Sequence, residues 1–213
     1  MSGSARIRSL TRRGDATVLL SVEVSRADEH EAVEFILLDE LFLSLDLKVG
    51  EIDEEMLYTL DRYSEVTAAY LSACMSFAYV QSSLGALYTK LVGKGFSKET
   101  SAEAIEIIRE RGFVDEDAVA MRRAEIMLKK LWGRPRILRK LREEGFPDSV
   151  IEGVSEELYD VDFAEMCARV IEKRFSGVPE DRKEREKMFA SLSRLGYSAG
   201  DIRSAVRLIS DNI

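Results

Sequence analysis

An aliphatic residue, three others, a glycine and an aromatic recur three times along this chain. Leu91 leads to Gly95 and Phe96, Leu141 to Gly145 and Phe146, and Leu192 to Gly196 and Tyr197, with the aromatics 50 and 51 residues apart. Each has the form of a helix stop, in which glycine enters the left-handed conformation without a Cβ penalty and the next residue folds back on the last turn. The expected contacts are Phe96 on Leu91, Phe146 on Leu141 and Tyr197 on Leu192, with positive φ at all three glycines. A single stop carries little information, and Ile108 with Gly112 and Phe113 repeats the signal out of register.

The flanks turn the stops into a repeat. A short helix precedes each one, with apolar positions at Leu84, Leu87 and Leu91, at Ile137, Leu138 and Leu141, and at Met188, Phe189, Leu192 and Leu195. Another helix follows, marked by Ala104 and Ile108, by Val154 and Leu158, and by Ala205 and Ile209. Before each short helix lies a longer one, at 66–80, 115–131 and 160–175. Long, short and medium helices three times over give nine. Pro135 suits a first helical turn, and Ser149 with Glu152 and Ser198 with Asp201 fit capping boxes.

The first third follows a different rule. Residues 17–24 and 33–45 are rich in β-branched and large apolar side chains and are separated by a charged break at 25–31, so they read as antiparallel strands, with 6–10 a candidate edge. Helical spacing begins at Asp53. The expected fold is mainly α: three tandem three-helix repeats in an elongated array, preceded by a small N-terminal antiparallel β segment. Its divisions are an acidic β segment at 1–52, a connecting helix at 53–65, and repeats at 66–113, 114–159 and 160–213.

Charge is unevenly distributed. The net charge is −8, which by itself argues against a nucleic-acid partner. Residues 1–80 hold 7 basic and 15 acidic side chains, however, whereas 81–213 hold 24 of each. Between 121 and 142 stand Arg122, Arg123, Lys129, Lys130, Arg134, Arg136, Arg139, Lys140 and Arg142 against one acid, Glu125. On a helical wheel Met121, Ala124, Leu128, Leu131 and Trp132 share an arc roughly opposite Arg122, Arg123, Lys129 and Lys130. The next helix buries Ile137, Leu138 and Leu141 and exposes Arg136, Arg139, Lys140 and Arg142. A charge run is ordinarily a solvated face laced with i, i+4 pairs. With only Glu125 inside the segment, a functional basic surface is the better reading. Trp132, the sole tryptophan, belongs to the core by its wheel position, while its place at the helix joint would also suit stacking on a base or a partner side chain.

Catalytic and metal-binding constellations are not expected. His30 lies in a charged loop with no Cys, Ser or acid spaced as a partner, so it reads as a surface histidine. Gly93 and Lys94 lack the rest of a phosphate-binding loop. Asp115, Glu116 and Asp117 begin a helix, where the macrodipole favours acids. Cys74 and Cys167 sit on apolar helix faces as free thiols, implying neither a disulfide framework nor zinc. No cofactor is expected. No apolar run approaches the roughly 18 to 20 residues of a membrane span, and residues 1–17 do not resemble a signal peptide, so a cytosolic protein is expected.

The ordered combination of Gly112, Asp115 and Glu116, the basic helix, Leu131 to Gly133, Ile137, Leu141, and Gly145 with Phe146 resembles the RecX family over about residues 66–210. That resemblance implies a non-enzymatic modulator that lies along the RecA recombinase filament on DNA and restrains its activity; separately, a monomer is expected. The nine basic residues named above would face the filament or its nucleic acid. The first repeat departs from the family, with 79–87 lacking the arginine and glutamate usual there. The alternative reading is a helical adaptor or helix-turn-helix-like DNA-binding protein unrelated to recombinase.

Overall fold

The structure, a computed structural model, describes residues 4–14, 16–26, 29–79 and 81–211. Residues 27 and 28 of the expected break, Val80 of the first long helix and the last two residues of the third repeat lie outside them, as do residues 1–3. The chain divides into two lobes: Met1–Val80 with Leu87–Phe113, and Gln81–Ala86 with Val114–Ile213.

In the first lobe, strands β1 (Ser4–Arg13), β2 (Thr17–Arg26), β3 (Glu29–Leu38) and β4 (Gly50–Ile52) form a sheet in the order β3-β2-β1-β4. All pairings are antiparallel. Alternate residues Ala5 and Ile7, Val18, Leu20 and Val22, and Phe35 and Leu37 turn inward, the period of two that a half-buried sheet requires. Three expectations need correction. The break expected at 25–31 is mostly strand, because β2 runs to Arg26 and β3 starts at Glu29. The candidate edge at 6–10 is a central strand, because β4 pairs on its far side. The strand expected at 33–45 ends at Leu38 and gives way to a short helix, α1 (Asp39–Leu43). Asp39 and Glu40 break the alternation and fill a first helical turn, and the Asp39 N–H donates to the carbonyl of Ala16.

Helix α2 (Glu54–Tyr79) crosses the sheet. It contains neither glycine nor proline, so nothing interrupts it at residue 66, and the expected connecting helix and first long helix are one element. Leu57, Leu60 and Tyr63 join the sheet core. Thr67 Oγ1 accepts from the Leu38 N–H at 3.0 Å, covering part of the edge that β3 would otherwise present. Farther along, α2 packs on α4 (Lys98–Glu110), with Val66, Ala69 and Ala73 buried on one side and Ala104 and Ile108 on the other. Arg111 closes this lobe: it donates to the Tyr70 hydroxyl at 2.8 Å and pairs with Glu40 at 3.1 Å.

The remaining helices are α3 (Leu84–Gly93), which joins the lobes in sequence, then α5 (Glu116–Lys129), α6 (Arg134–Glu143), α7 (Asp148–Glu157), α8 (Phe163–Phe175), α9 (Arg182–Arg194) and α10 (Ala199–Asp211). Among the described residues, α2 to α10 are the nine expected helices, and no strand occurs after Ile52. Gly95, Gly145 and Gly196 have φ of +101°, +80° and +92°. The Phe96, Phe146 and Tyr197 N–H groups reach back to the carbonyls of Leu91, Leu141 and Leu192 at 3.2–3.3 Å. Length order holds less well, since α8, α9 and α10 each have 13 residues. Ser198 and Asp201 form the reciprocal capping box. Ser149 does not cap, because α7 starts at Asp148, after Pro147, two residues before the start that a Ser149 cap would give.

Within the second lobe two joints share one design. The helix start of one repeat seats on the glycine stop of the next. A Cβ on Gly85 would collide with the backbone of Gly145, and one on Gly133 with that of Gly196 and Tyr197. Ser83 Oγ donates to the carbonyl of Glu144, and the Gly133 N–H donates to that of Leu195 at 2.9 Å. Ser83 and Gly133 each stand 12 residues before their own repeat's stop glycine, and Glu144 and Leu195 each directly precede the next.

Candidate nucleic-acid interface

The basic segment spans α5, a sharp joint and α6. Glu116 and Asp117 occupy the first turn of α5, and the Asp115 side chain caps it by accepting from the Ala118 N–H. The buried face consists of Val119, Ala120, Ala124 and Met127, rotated from the expected arc. Met121, Leu128, Leu131 and Trp132 are only half-buried. For Leu131 and Trp132 the reason lies at the joint. Leu131 takes φ +57°, a left-handed conformation that costs a non-glycine residue about 1–2 kcal/mol. The Trp132 N–H then bonds back to the Met127 carbonyl at 3.2 Å, so the helix ends before Leu131 and turns the indole off the wheel. The Leu131 carbonyl accepts from the buried Tyr197 hydroxyl at 2.9 Å, which helps to hold the strained residue. Pro135 sits in the first turn of α6, where its missing N–H costs nothing.

The nine basic residues fall into distinct environments. Arg122 donates to the Gln81 side chain, and Arg123 to the Gln81 carbonyl, with Glu144 at 3.7 Å. Arg134 is spent on structure: it donates to the carbonyl and hydroxyl of Ser155, both at 2.7 Å, and lies 4.0 Å from the Tyr159 ring centroid. Arg142 pairs with Asp148 at 3.1 Å. Lys129 and Lys130 are exposed and form no ion pair among the described residues. Arg136, Arg139 and Lys140 line one cleft of about 310 Å³ with Trp132 and Glu143.

Acids just beyond residue 142 supply much of the pairing that the segment itself lacks. Glu143 lies 3.7 Å from both Arg139 and Lys140, and Glu144 lies 3.7 Å from Lys140. Counted over 121–148, nine bases face Glu125, Glu143, Glu144 and Asp148, a net +5 in place of the +8 that the narrower window contains. These are long contacts between largely exposed groups, a class that contributes little to stability.

His30 departs from expectation. The β2–β3 register sets it opposite Ser25, whose Oγ lies 2.8 Å from Nδ1, with Glu23 3.6 Å from the same nitrogen. Cross-strand pairing places partners that linear spacing does not reveal. Both face one ring nitrogen, so the imidazole cannot relay a proton from Ser25 to Glu23, and Glu23 is already engaged by Arg8. Among the described residues no three His, Cys, Asp or Glu side chains cluster to hold a metal ion, and no helix is long and apolar enough to cross a membrane.

No family model matches the chain. Individual relatives do. A regulatory protein RecX of Pelodictyon phaeoclathratiforme is 33% identical over 131 residues, which cover 58% of this chain and 77% of that protein. The chain belongs to the RecX family. The RecX of Halorhodospira halophila is 32% identical over 56% of this chain and 74% of its own length. In fold, the chain matches a crystal structure of regulatory protein RecX with a TM-score of 0.73 at 17% identity, covering 94% of this chain and 98% of that one. It also matches RecX from Lactobacillus salivarius with a TM-score of 0.59 at 19% identity, covering 70% and 98%. The helical repeats and the N-terminal sheet are therefore a RecX architecture.

Proposed function

We propose that this RecX protein binds the filament formed by the RecA recombinase on DNA and restrains its ATPase and strand-exchange activities, acting in the cytoplasm as a monomer without catalysis of its own. Family membership supports a regulatory role. The observation that carries the contact is the gathering of Lys130, Arg136, Arg139 and Lys140 around Trp132 in a chain of net charge −8. Such a cluster attracts a polyanion through counterion release while the rest of the molecule resists non-specific adsorption.

The test is co-sedimentation with preformed filaments on single-stranded DNA, with naked DNA and free recombinase as controls, alongside the recombinase ATPase. A filament regulator pellets with filaments and lowers ATPase at well below one copy per recombinase subunit. A helical DNA-binding or adaptor protein, the second reading, pellets equally with naked DNA and inhibits only by occupying it. Absence of the chain from filament pellets at low salt would end the proposal.

A further inference from the structure

We propose that the cleft at the α5–α6 joint is a stacking site for an unpaired nucleobase, with Trp132 as its platform and Arg139 and Lys140 as its phosphate contacts. The inference rests on the preceding reading and adds to it the form of nucleic acid that the surface takes.

The backbone sets the position of the indole. Left-handed Leu131 ends α5 and projects the indole beside the first turns of α6. The Arg136 guanidinium carbon lies 3.9 Å from the indole centroid, and Nη1 of the same residue donates to the Arg194 carbonyl at 3.1 Å. Lys130 Nζ stands 5.9 Å from the centroid. Tyr197, in turn, fixes the Leu131 carbonyl. The indole with Arg136 fastened over its ring, and Lys130 within cation–π reach, is a pre-organised planar stack, and little further ordering is needed when a base joins it at the indole or the guanidinium plane. Arg139 and Lys140 lie one turn beyond Arg136 on α6 and complete the lining. Their acid, Glu143, is 3.7 Å from each, so a phosphate can displace it at small cost.

This chemistry selects a single strand. Bases in a duplex are stacked on one another and offer no free face, whereas an unpaired base can lie on an aromatic or guanidinium plane while its backbone follows the cations. An acidic peptide would satisfy Arg139 and Lys140 but would leave the indole unused.

Trp132 is the only tryptophan, so its fluorescence reports the site alone. The full-length protein is titrated at low salt with an oligothymidylate, a strand of equal length built of abasic residues, a duplex of equal length, and a polyglutamate peptide. Stacking predicts quenching by the oligothymidylate and little by the other three. Trp132→Ala should weaken oligothymidylate binding, read by anisotropy of a labelled strand, by about tenfold, while leaving abasic-strand binding within about twofold. Arg139→Gln with Lys140→Gln should weaken both strands alike. Equal quenching by the abasic strand or by the duplex would overturn the stacking assignment, and stronger quenching by polyglutamate would assign the cleft to an acidic peptide. If no probe quenches while filament co-sedimentation persists, the cleft is not the site and the filament reading stands. Loss of filament co-sedimentation with quenching intact would remove the filament reading alone.

Discussion

Gly133→Ala isolates the close approach on which the joint between the second and third repeats depends. Gly133 has φ −75° and ψ 155°, ordinary extended geometry for any residue, so the substitution introduces no backbone strain. Fewer conformations in the unfolded chain would even favour alanine by about 0.4–1 kcal/mol. Against this, the new methyl meets only backbone, the carbonyl of Gly196 and the nitrogen of Tyr197, which cannot rotate away. Overpacking of that kind costs about 1–3 kcal/mol. Parting the joint also strains the Gly133 N–H bond to Leu195 and the Tyr197 hydroxyl bond to Leu131, each 2.9 Å and each contributing about 1 kcal/mol net. The expected loss is about 2–4 kcal/mol. Gly153→Ala is the control, since Gly153 lies exposed within α7 with nothing near its Cβ; it should stabilise by about 0.5–1 kcal/mol. Urea unfolding is followed by far-UV circular dichroism and by Trp132 fluorescence, with coincidence of the two curves checked first. Gly133→Ala as stable as the parent would show that the repeats do not meet through this glycine contact.

Tyr197→Phe removes the hydroxyl that satisfies the Leu131 carbonyl and should cost about 1–2 kcal/mol in the same assay; no loss would mean that the left-handed turn needs no such support. Burial, with a smaller contribution from Asp201, pushes the Cys167 thiol up to about 12 from 9.0. Its folded form therefore keeps a proton that the unfolded chain releases, so this contribution to stability is full below about pH 8.5 and is lost progressively as pH rises toward 12. At pH 8 a thiol reagent should label half-buried Cys74 before Cys167, with Cys167 reacting only as denaturant opens the third repeat. Equal rates in the native protein would contradict the burial argument.

The repeats were legible because their punctuation is local. Glycine admits positive φ without a Cβ penalty, and the back-bond from the following aromatic closes within six residues. The sheet was less legible. Asp39 and Glu40 redirect an apolar run into α1 after Leu38, and β4 is three residues long, too short to carry a period. The repeat joints could not be read at all, because Gly85 meets Gly145 and Gly133 meets Gly196 across 60 and 63 residues. At the candidate site, sequence located the basic residues but not their partners. Glu143, Glu144 and Asp148 fall just past the cationic window, and Arg134 is consumed by Ser155 and Tyr159. Trp132 leaves the apolar arc because a wheel assumes an unbroken helix, and Leu131 breaks it.

The most direct test of the account compares filament binding by two charge-neutralised variants across a salt series. In the first, Lys129, Lys130, Arg139 and Lys140 become Gln; none of the four is buried, so the fold should persist. In the second, Arg182, Lys183, Arg185 and Lys187 of the third repeat become Gln, where Arg182 and Lys187 are already paired with Glu186 and Glu184. The first variant should lose most filament binding and flatten the slope of log K against log salt by about 3 if all four contact phosphate. The second should stay near the parent in both. Equal losses from the two, or an unchanged slope in the first, would contradict the assignment of filament binding to the second repeat.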